Sequence, residues 1–247
     1  MQETMSPRVR LNKFLRDCAL GSRRKCEDLI TGGRVRINGE VVTDLATLVD
    51  AGADTVEVDG ETLAVREKVY VAAYKPVGSI VTAADPHGRK TVFDAVSGLP
   101  DGLFAVGRLD MDSDGLVIMT NDGKLSHRLA HPRYQVPRVY TVAVEGAAGE
   151  DLADKLKAGV ELEDGPARAV EARIVGEYEG GAVMEIVMTE GRKREIRRML
   201  AACGYEVTSL TRKSFGGVGL GSLSRGEWRY LSRDEVRTLR RNTEGAN

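Results

Sequence analysis

The sequence predicts an α+β protein of two domains, and three observations support this. With 247 residues, 42% of them hydrophobic and 5% aromatic, the chain can bury one large core or two unequal ones. Many strand patterns with few intervening helices favour a mostly antiparallel mixed sheet. The first sixty or so residues follow a separate pattern of two helices and a hairpin. We therefore place a small domain at 1–62, a linker at 63–67 and a larger domain at 68–247.

The small domain begins with a helical pattern. Apolar side chains recur at helical spacing at Leu11, Phe14, Leu15 and Cys18. Gly21 ends this helix, and Ser22 can cap a second helix whose first turn is Arg23-Arg24-Lys25. Three cations at a helix N-terminus oppose the helix dipole, so a bound anion would compensate them. Residues 34–42 then alternate apolar and polar around Asn38-Gly39, which predicts a hairpin.

The larger domain shows strand and helix patterns in turn. Strand patterns cover 69–74, 103–106, 116–119, 139–144, 170–175, 183–188 and 206–210. Helical patterns cover 124–130, 148–156, 193–203 and 233–241. The last helix begins with a capping box formed by Ser232 and Glu235. This order of elements predicts an α+β domain built on a mostly antiparallel sheet.

Charge is segregated along the chain. The net charge is −1, which by itself argues against a nucleic-acid partner. Residues 8–36, however, hold nine Lys or Arg against three acids, and 190–213 hold seven against three. Twelve acids and four basic residues occupy 145–190. This pattern can bind phosphates on one face of a nearly neutral protein. The alternative is that these runs are ordinary solvated helix faces.

Several classes of site are not indicated. The three cysteines are isolated, which favours free thiols over a disulfide framework or a zinc site. His127 and His131 have helical ligand spacing but lack an acidic third ligand, so we expect no metal. The glycine-rich run 216–221 lacks the Lys-Ser or Lys-Thr pair of a phosphate loop. Without an apolar run of about 20 residues or a signal region, we expect a cytoplasmic protein with no membrane partner.

One segment of the larger domain points to chemistry. It consists of Gly107-Arg108-Leu109-Asp110, then Gly115-Leu116 and Thr120-Asn121-Asp122-Gly123. The pattern predicts a strand with the Asp110 carboxylate at its end, followed by a second strand and a turn. Reactive groups often lie at such ends, but an aspartate before a turn is also a common backbone cap. The residues alone do not rank Asp110 above Asp112 or Asp114.

Residues 8–60 resemble the alpha-L RNA-binding module first described in a small-subunit ribosomal protein. The resemblance rests on residues 10–15, 22–27 and 33–39. In that family the second helix and the hairpin face RNA. The resemblance therefore implies that Arg23, Arg24, Lys25 and Arg34 contact phosphates, in agreement with the charge distribution.

The rest of the chain resembles the RsuA/RluB/RluE/RluF family of RNA pseudouridine synthases. The matching stretches, in the order that family uses, are 74–78, 107–123, 131–133, 137–140 and 190–199. Membership implies an isomerase without a cofactor, which converts a uridine of ribosomal RNA to pseudouridine. Residues 22–27 and 190–195 most resemble the RluB-like branch, which acts on 23S rRNA, free or in assembly intermediates. We expect a monomer.

The same resemblance assigns roles to individual residues. Asp110 acts beside the anomeric carbon of the sugar, Arg197 keeps that carboxylate ionised, and Tyr140 stacks on the flipped-out uracil. Substrate contacts are assigned to Arg108, Leu210 and Lys75. The alternative function is a non-catalytic ribosome-assembly factor that binds rRNA through the same fold. The presence of all three catalytic residues weighs against it.

Overall fold

The computed structural model describes residues 8–244, which divide into two compact units. The small unit comprises the described residues up to Val69 together with Pro100–Leu103. Its elements are β1 (Val9–Arg10), α1 (Leu11–Asp17), α2 (Arg23–Thr31), β2 (Val35–Ile37), β3 (Glu40–Val42), β4 (Leu48–Val49), β5 (Val56–Val58) and β6 (Glu61–Thr62). The strands form an antiparallel sheet of order β3-β2-β5-β6 and a separate pair, β1 with β4.

Local sequence explains the small unit. The hydroxyl of Ser22 accepts a hydrogen bond from the backbone N–H of Lys25 and begins α2, as predicted. Asn38 and Gly39 both have positive φ, as a two-residue hairpin between β2 and β3 requires. The two helices and the sheet enclose a core that includes Cys18 and Cys26. Both thiols are free, and burial raises the pKa of Cys18 to about 11.

The large unit comprises Tyr70–Leu99 and the described residues from Phe104 onward. Its first elements are β7 (Tyr70–Lys75), α3 (Val92–Ala95), β8 (Phe104–Ala105), β9 (Asp114–Thr120), α4 (Gly123–Ala130), β10 (Arg138–Glu145) and α5 (Glu150–Ala158). Then follow β11 (Glu171–Tyr178), β12 (Gly181–Met188), α6 (Glu195–Ala202), β13 (Val207–Phe215), β14 (Val218–Gly219), β15 (Trp228–Tyr230) and α7 (Arg233–Arg241). None of the helices within residues 8–244 is long and apolar enough to span a membrane.

One nine-stranded sheet organises the large unit. Seven strands follow the order β11-β12-β10-β13-β9-β7-β15, while β14 pairs with β13 and β8 with β9. Only the β13–β9 pair is parallel among these strands, which confirms the predicted mostly antiparallel mixed sheet. Every residue of β9 is buried, because its apolar run Leu116–Met119 is covered on both faces. Gly115 has positive φ, and a Cβ there would collide with the backbone of Arg212 on β13.

Two local predictions are wrong. Asp110 does not end a strand, because β8 ends at Ala105 and β9 begins only at Asp114. Gly107, with a φ of +69°, turns the chain into the intervening loop. The third helical pattern, 193–203, begins two residues late, at Glu195, because Arg194 adopts the left-handed conformation with a φ of +51°.

Candidate active site

A pocket of about 220 Å³ in the large unit gathers side chains from distant parts of the sequence. Its wall is formed by 107–110 and Ser113 before β9, Tyr140 on β10, Met188, 190–197 and Leu210 on β13. Five of the six residues to which the sequence assigned catalysis or substrate binding line it: Arg108, Asp110, Tyr140, Arg197 and Leu210. The sixth, Lys75, does not.

The central strands fix two walls of this pocket. Tyr140 lies on β10 between Ile186 of β12 and Arg212 of β13, so the sheet determines the position of its ring. Leu210 lies one strand away and is almost fully buried, which makes it an apolar wall. Arg138, two residues before Tyr140, is also buried, and its guanidinium donates to the carbonyl oxygens of Thr189 and Glu190. The chain entering α6 is thereby held against β10.

The loop that carries Asp110 is held by its backbone. The carbonyl oxygen of Asp110 accepts from the N–H of Ser113 at 3.2 Å, and that of Met111 accepts from the N–H of Gly78 at 2.8 Å. The carboxylate itself is only partly exposed and lines the pocket. In the part of the chain that the structure describes, none of the ion pairs includes Asp110. Its carboxylate is thus presented to the pocket without a paired cation.

Lys75 supports this loop from beneath, which corrects the expectation that it contacts substrate. Its side chain has no solvent exposure. Nζ donates to the carbonyl oxygens of Ser113 at 2.6 Å and Pro76 at 3.1 Å. Burial lowers the pKa of Lys75 to about 8, against the opposing influence of three nearby aspartates. The ammonium group is directed at the backbone and does not reach the pocket.

Arg197 is paired with Asp112 rather than with Asp110. Nη1 donates to the carbonyl oxygen of Val207 at 3.0 Å, and Nη2 donates to that of Asp112 at 2.9 Å. Nε lies 3.4 Å from the Asp112 carboxylate without forming a hydrogen bond. The Arg197 guanidinium therefore lines the same pocket as Asp110 but is held by these other groups.

The structure gives Asp110, Asp112 and Asp114 different environments, although the sequence alone does not rank them. The Asp114 side chain is 4% exposed and accepts hydrogen bonds from Tyr74, Thr211 and Arg225. The Asp112 carboxylate forms ion pairs with Arg194 and Arg197. Asp110 alone of the three lines the pocket. Asp114 is therefore a structural carboxylate at the start of β9, and Asp110 is the one available to a ligand.

Some arginines of the basic run that enters α6 form contacts within the protein. Arg192 donates to the Gly165 carbonyl oxygen at 3.0 Å and to the buried Glu195 carboxylate. Arg198 makes two hydrogen bonds to Asp164, which hold the pKa of that carboxyl below its usual range. Counting charges along the sequence does not distinguish these guanidiniums from cations that are available to phosphates. It could not reveal Asp164, because nearly thirty residues separate it from this run.

The predicted RNA-binding residues of the small unit are arranged on α2 and β2. Arg23, Arg24 and Lys25 are exposed in the first turn of α2. Arg34 forms a two-point ion pair with Asp59, so a phosphate would have to compete with that carboxylate. Among residues 8–244 there is no cluster of three or more His, Cys, Asp or Glu that could hold a metal ion.

Comparison with known proteins identifies both parts of the chain. The profile of the RNA pseudouridylate synthase family matches residues 69–202, and that of the S4 domain matches residues 9–54. An uncharacterized RNA pseudouridine synthase of Aquifex aeolicus is 44% identical over 94% of this chain and 93% of its own length. Ribosomal large subunit pseudouridine synthase B of Bacillus subtilis is 38% identical, with 94% and 95% covered.

One solved structure agrees with the sequence comparisons. A crystal structure described as that of a pseudouridylate synthase superimposes with a TM-score of 0.65 at 30% identity, covering 94% of this chain and 99% of that one. The family match spans more than half of the chain, and the relatives match it over almost their whole length. This chain therefore belongs to the RNA pseudouridylate synthase family and carries an S4 domain ahead of the synthase domain.

Proposed function

We propose that this enzyme converts a specific uridine of 23S rRNA to pseudouridine and that Asp110 acts at the anomeric carbon of the flipped-out nucleotide. The observation that carries the proposal is the convergence of Asp110, Tyr140 and Arg197 on one pocket. The choice of large-subunit RNA is supported by relatives named ribosomal large subunit pseudouridine synthase B, which are 38–39% identical to this chain.

The reaction needs a carboxylate beside the sugar. The bond from uracil N1 to C1′ breaks, the base turns, C5 bonds to C1′, and the proton on C5 is lost while N1 regains one. Electron-poor sugar character at C1′ calls for a nearby anion, as in glycoside chemistry. Asp110 supplies it either by attacking C1′ or by assisting removal of a sugar proton. None of the ion pairs within residues 8–244 includes the Asp110 carboxylate, so no ion pair there has to break before it approaches the sugar.

The other pocket residues bind and orient the base. The target uridine must leave its stack, and the ring of Tyr140, fixed on a central strand, offers the platform on which it rests. The phenol also serves in proton transfer at the sugar. Leu210 forms the apolar wall of the uracil site. The Arg197 guanidinium lines the same pocket and contributes positive charge to it.

RNA capture is assigned to exposed cations. Arg108 lines the pocket with an exposed side chain and contacts RNA beside the vacated stack. In the small domain, residues 1–62, the cations Arg23, Arg24, Lys25 and Arg34 bind phosphates. The linker 63–67 joins this domain to the catalytic domain, 68–247. The enzyme works as a cytoplasmic monomer on rRNA, either free or in assembly intermediates.

Pseudouridine mapping tests this proposal. The purified chain is incubated with unmodified in vitro transcripts of the 16S and 23S rRNA of its own organism, and pseudouridines are located by carbodiimide treatment and primer extension. We expect one modified site in the 23S transcript. Precursor particles from a strain lacking the gene replace the transcript in a second arm, in case assembly presents the site. Modification confined to 16S rRNA, or none in either arm, contradicts the proposal.

A further inference from the structure

Two arginines of the segment entering α6 converge on one carboxylate at the pocket. Nη1 of Arg194 lies 3.0 Å and 2.8 Å from the two carboxylate oxygens of Asp112. Nε of Arg197 lies 3.4 Å from the same group. Both arginines line the pocket, whereas Asp112 belongs to the loop that carries Asp110. The paired guanidiniums therefore form an anion site that the chain fills with its own side chain.

This pairing differs from the neighbouring ion pair at Asp164. Arg192, which contacts Asp164, also donates to the carbonyl oxygens of Gly165 and Pro166 and to the buried Glu195 carboxylate. Arg198 donates from both Nη1 and Nη2 to the Asp164 carboxylate. Arg194 is 42% exposed, and Asp112 is its hydrogen-bond partner in the described structure. In the hydrogen bonds of the described residues Arg194 donates from Nη1 alone, which leaves its Nε and Nη2 for a ligand, whereas Arg192 uses all three of its guanidinium nitrogens.

Backbone conformation supports a functional reading of Arg194. It adopts the left-handed region, with a φ of +51°, which is unfavourable for a long side chain. Strain of this kind persists where the surrounding structure imposes it, and it is concentrated at functional sites. At this position it places the guanidinium beside the pocket instead of continuing α6 by one residue. In addition, Nε of Arg197 is buried without a hydrogen-bond acceptor.

We propose that Arg194 and Arg197 bind a phosphate group of the substrate RNA and that Asp112 occupies this site until the phosphate displaces it. The proposal rests on the proposed function, because a uridine above Asp110 carries its phosphates to the pocket rim. Guanidinium binds phosphate through charge-assisted hydrogen bonds. Displacement of Asp112 by a phosphate requires little free energy, because Asp112 is 43% exposed and an exposed ion pair contributes little stability.

A double-mutant cycle tests the displacement. The full chain and its Asp112→Asn, Arg194→Gln and doubly substituted variants are titrated against a fluorescein-labelled 15-nucleotide oligouridine, followed by anisotropy. Asp112→Asn removes the competitor, and we expect about two- to fivefold tighter binding, the range that an exposed ion pair allows. Arg194→Gln weakens binding and lowers the slope of log K against log salt by about 0.7, one single-strand phosphate contact.

The doubly substituted variant distinguishes displacement from a general charge effect. If Asp112 competes for Arg194, Asp112→Asn changes affinity by less than about 1.5-fold in the Arg194→Gln background, since coupled residues are not additive. Equal tightening in both backgrounds would mean a non-specific gain of charge and overturn the proposal. Unchanged or weaker RNA binding by Asp112→Asn alone would mean that Asp112 only holds the two arginines in place, and it would also overturn the proposal. Asp112→Glu, which keeps the carboxylate, is expected to bind as tightly as the unsubstituted chain.

This titration is independent of turnover. The tryptophan fluorescence of Trp228, the only tryptophan in the chain, shows whether each variant is folded. If rRNA mapping fails while the cycle shows coupling, the proposed substrate is wrong but the phosphate site stands. If mapping succeeds and coupling is absent, the phosphate site is wrong and the proposed function stands.

Discussion

The buried ammonium group of Lys75 donates a hydrogen bond to the carbonyl oxygen of Ser113 over 2.6 Å. Ser113 lies three residues after Asp110, and its N–H donates to the Asp110 carbonyl oxygen. Lys75 thus fixes the loop that presents the catalytic candidate, and it does so at the cost of a desolvated charge. Burial lowers its pKa from 10.5 to about 8.

This depressed pKa predicts a pH-dependent stability. The unfolded chain binds more protons at Lys75 than the folded chain between pH 8 and 10.5, so the free energy of unfolding rises with pH over that window. Relative to Lys75→Met, we expect the unsubstituted chain to gain at most about 3 kcal/mol from one end of the window to the other. Urea unfolding followed by Trp228 fluorescence measures it. If the free energy of unfolding changes with pH in the same way for both proteins, the prediction is contradicted.

Tyr140→Phe separates stacking from proton transfer. The substitution keeps the ring on β10 and removes only the hydroxyl. We expect RNA affinity within twofold of the unsubstituted chain and a single-turnover rate lower by about 100-fold, the lower end of acid–base contributions. Tyr140→Leu serves as the matched control, because it also loses the stacking platform and should weaken binding. A Phe variant with full rate would restrict Tyr140 to stacking.

The first turn of α2 predicts a salt dependence. Replacing Arg23, Arg24 and Lys25 by Ala should weaken RNA binding and reduce the slope of log K against log salt by about two to three, one phosphate contact for each cation. Arg233, Arg237 and Arg241 of α7 provide a control with the same charge change on exposed residues. Equal slopes for the first variant and the unsubstituted chain would remove α2 from the RNA interface.

Asp164 anchors the segment entering α6 through Arg198 and Arg192. Its pKa is lowered by the hydrogen bonds from Arg198, so its contribution to stability is present above pH 3.8 and is lost as the pH falls through the lower, folded value. Asp164→Asn should therefore unfold at a lower urea concentration than the unsubstituted chain at pH 7, with the difference shrinking as the pH approaches 3. The Asp151→Asn control, at an exposed pair with Lys155, should show little change at either pH.

Local patterns were sufficient for most of the fold. The Ser232 capping box begins α7 as the sequence predicts, and the bounds Arg233–Arg241 agree, because cap and periodicity act within a few residues. Strand β15 was not predicted. Its three residues are too few to show a periodicity, and it pairs with β7, which lies more than 150 positions away in the sequence. Its residue Trp228 is only partly buried.

The site was predictable in its residues but not in its partners. Five of the six assigned residues line one pocket, whereas the pairing of Arg197 with Asp112 and the burial of Lys75 depend on contacts between distant segments. The basic run also misled at Arg212, which is 1% exposed and donates to the Leu116 carbonyl oxygen inside the sheet. A sequence shows the charge of such residues but not the carboxylates and carbonyl oxygens with which they pair in the fold.

The most direct test of the central claim is Asp110→Asn, which removes the charge needed at the sugar while keeping the shape of the side chain. Transcripts of 23S rRNA labelled with tritium at uridine C5 release tritium when pseudouridine forms. We predict no release above background from Asp110→Asn, RNA affinity within twofold of the unsubstituted chain, and full release from the control Asp154→Asn, an exposed residue of α5 paired with Lys157. Tritium release by Asp110→Asn at a rate near that of the unsubstituted chain would contradict the account.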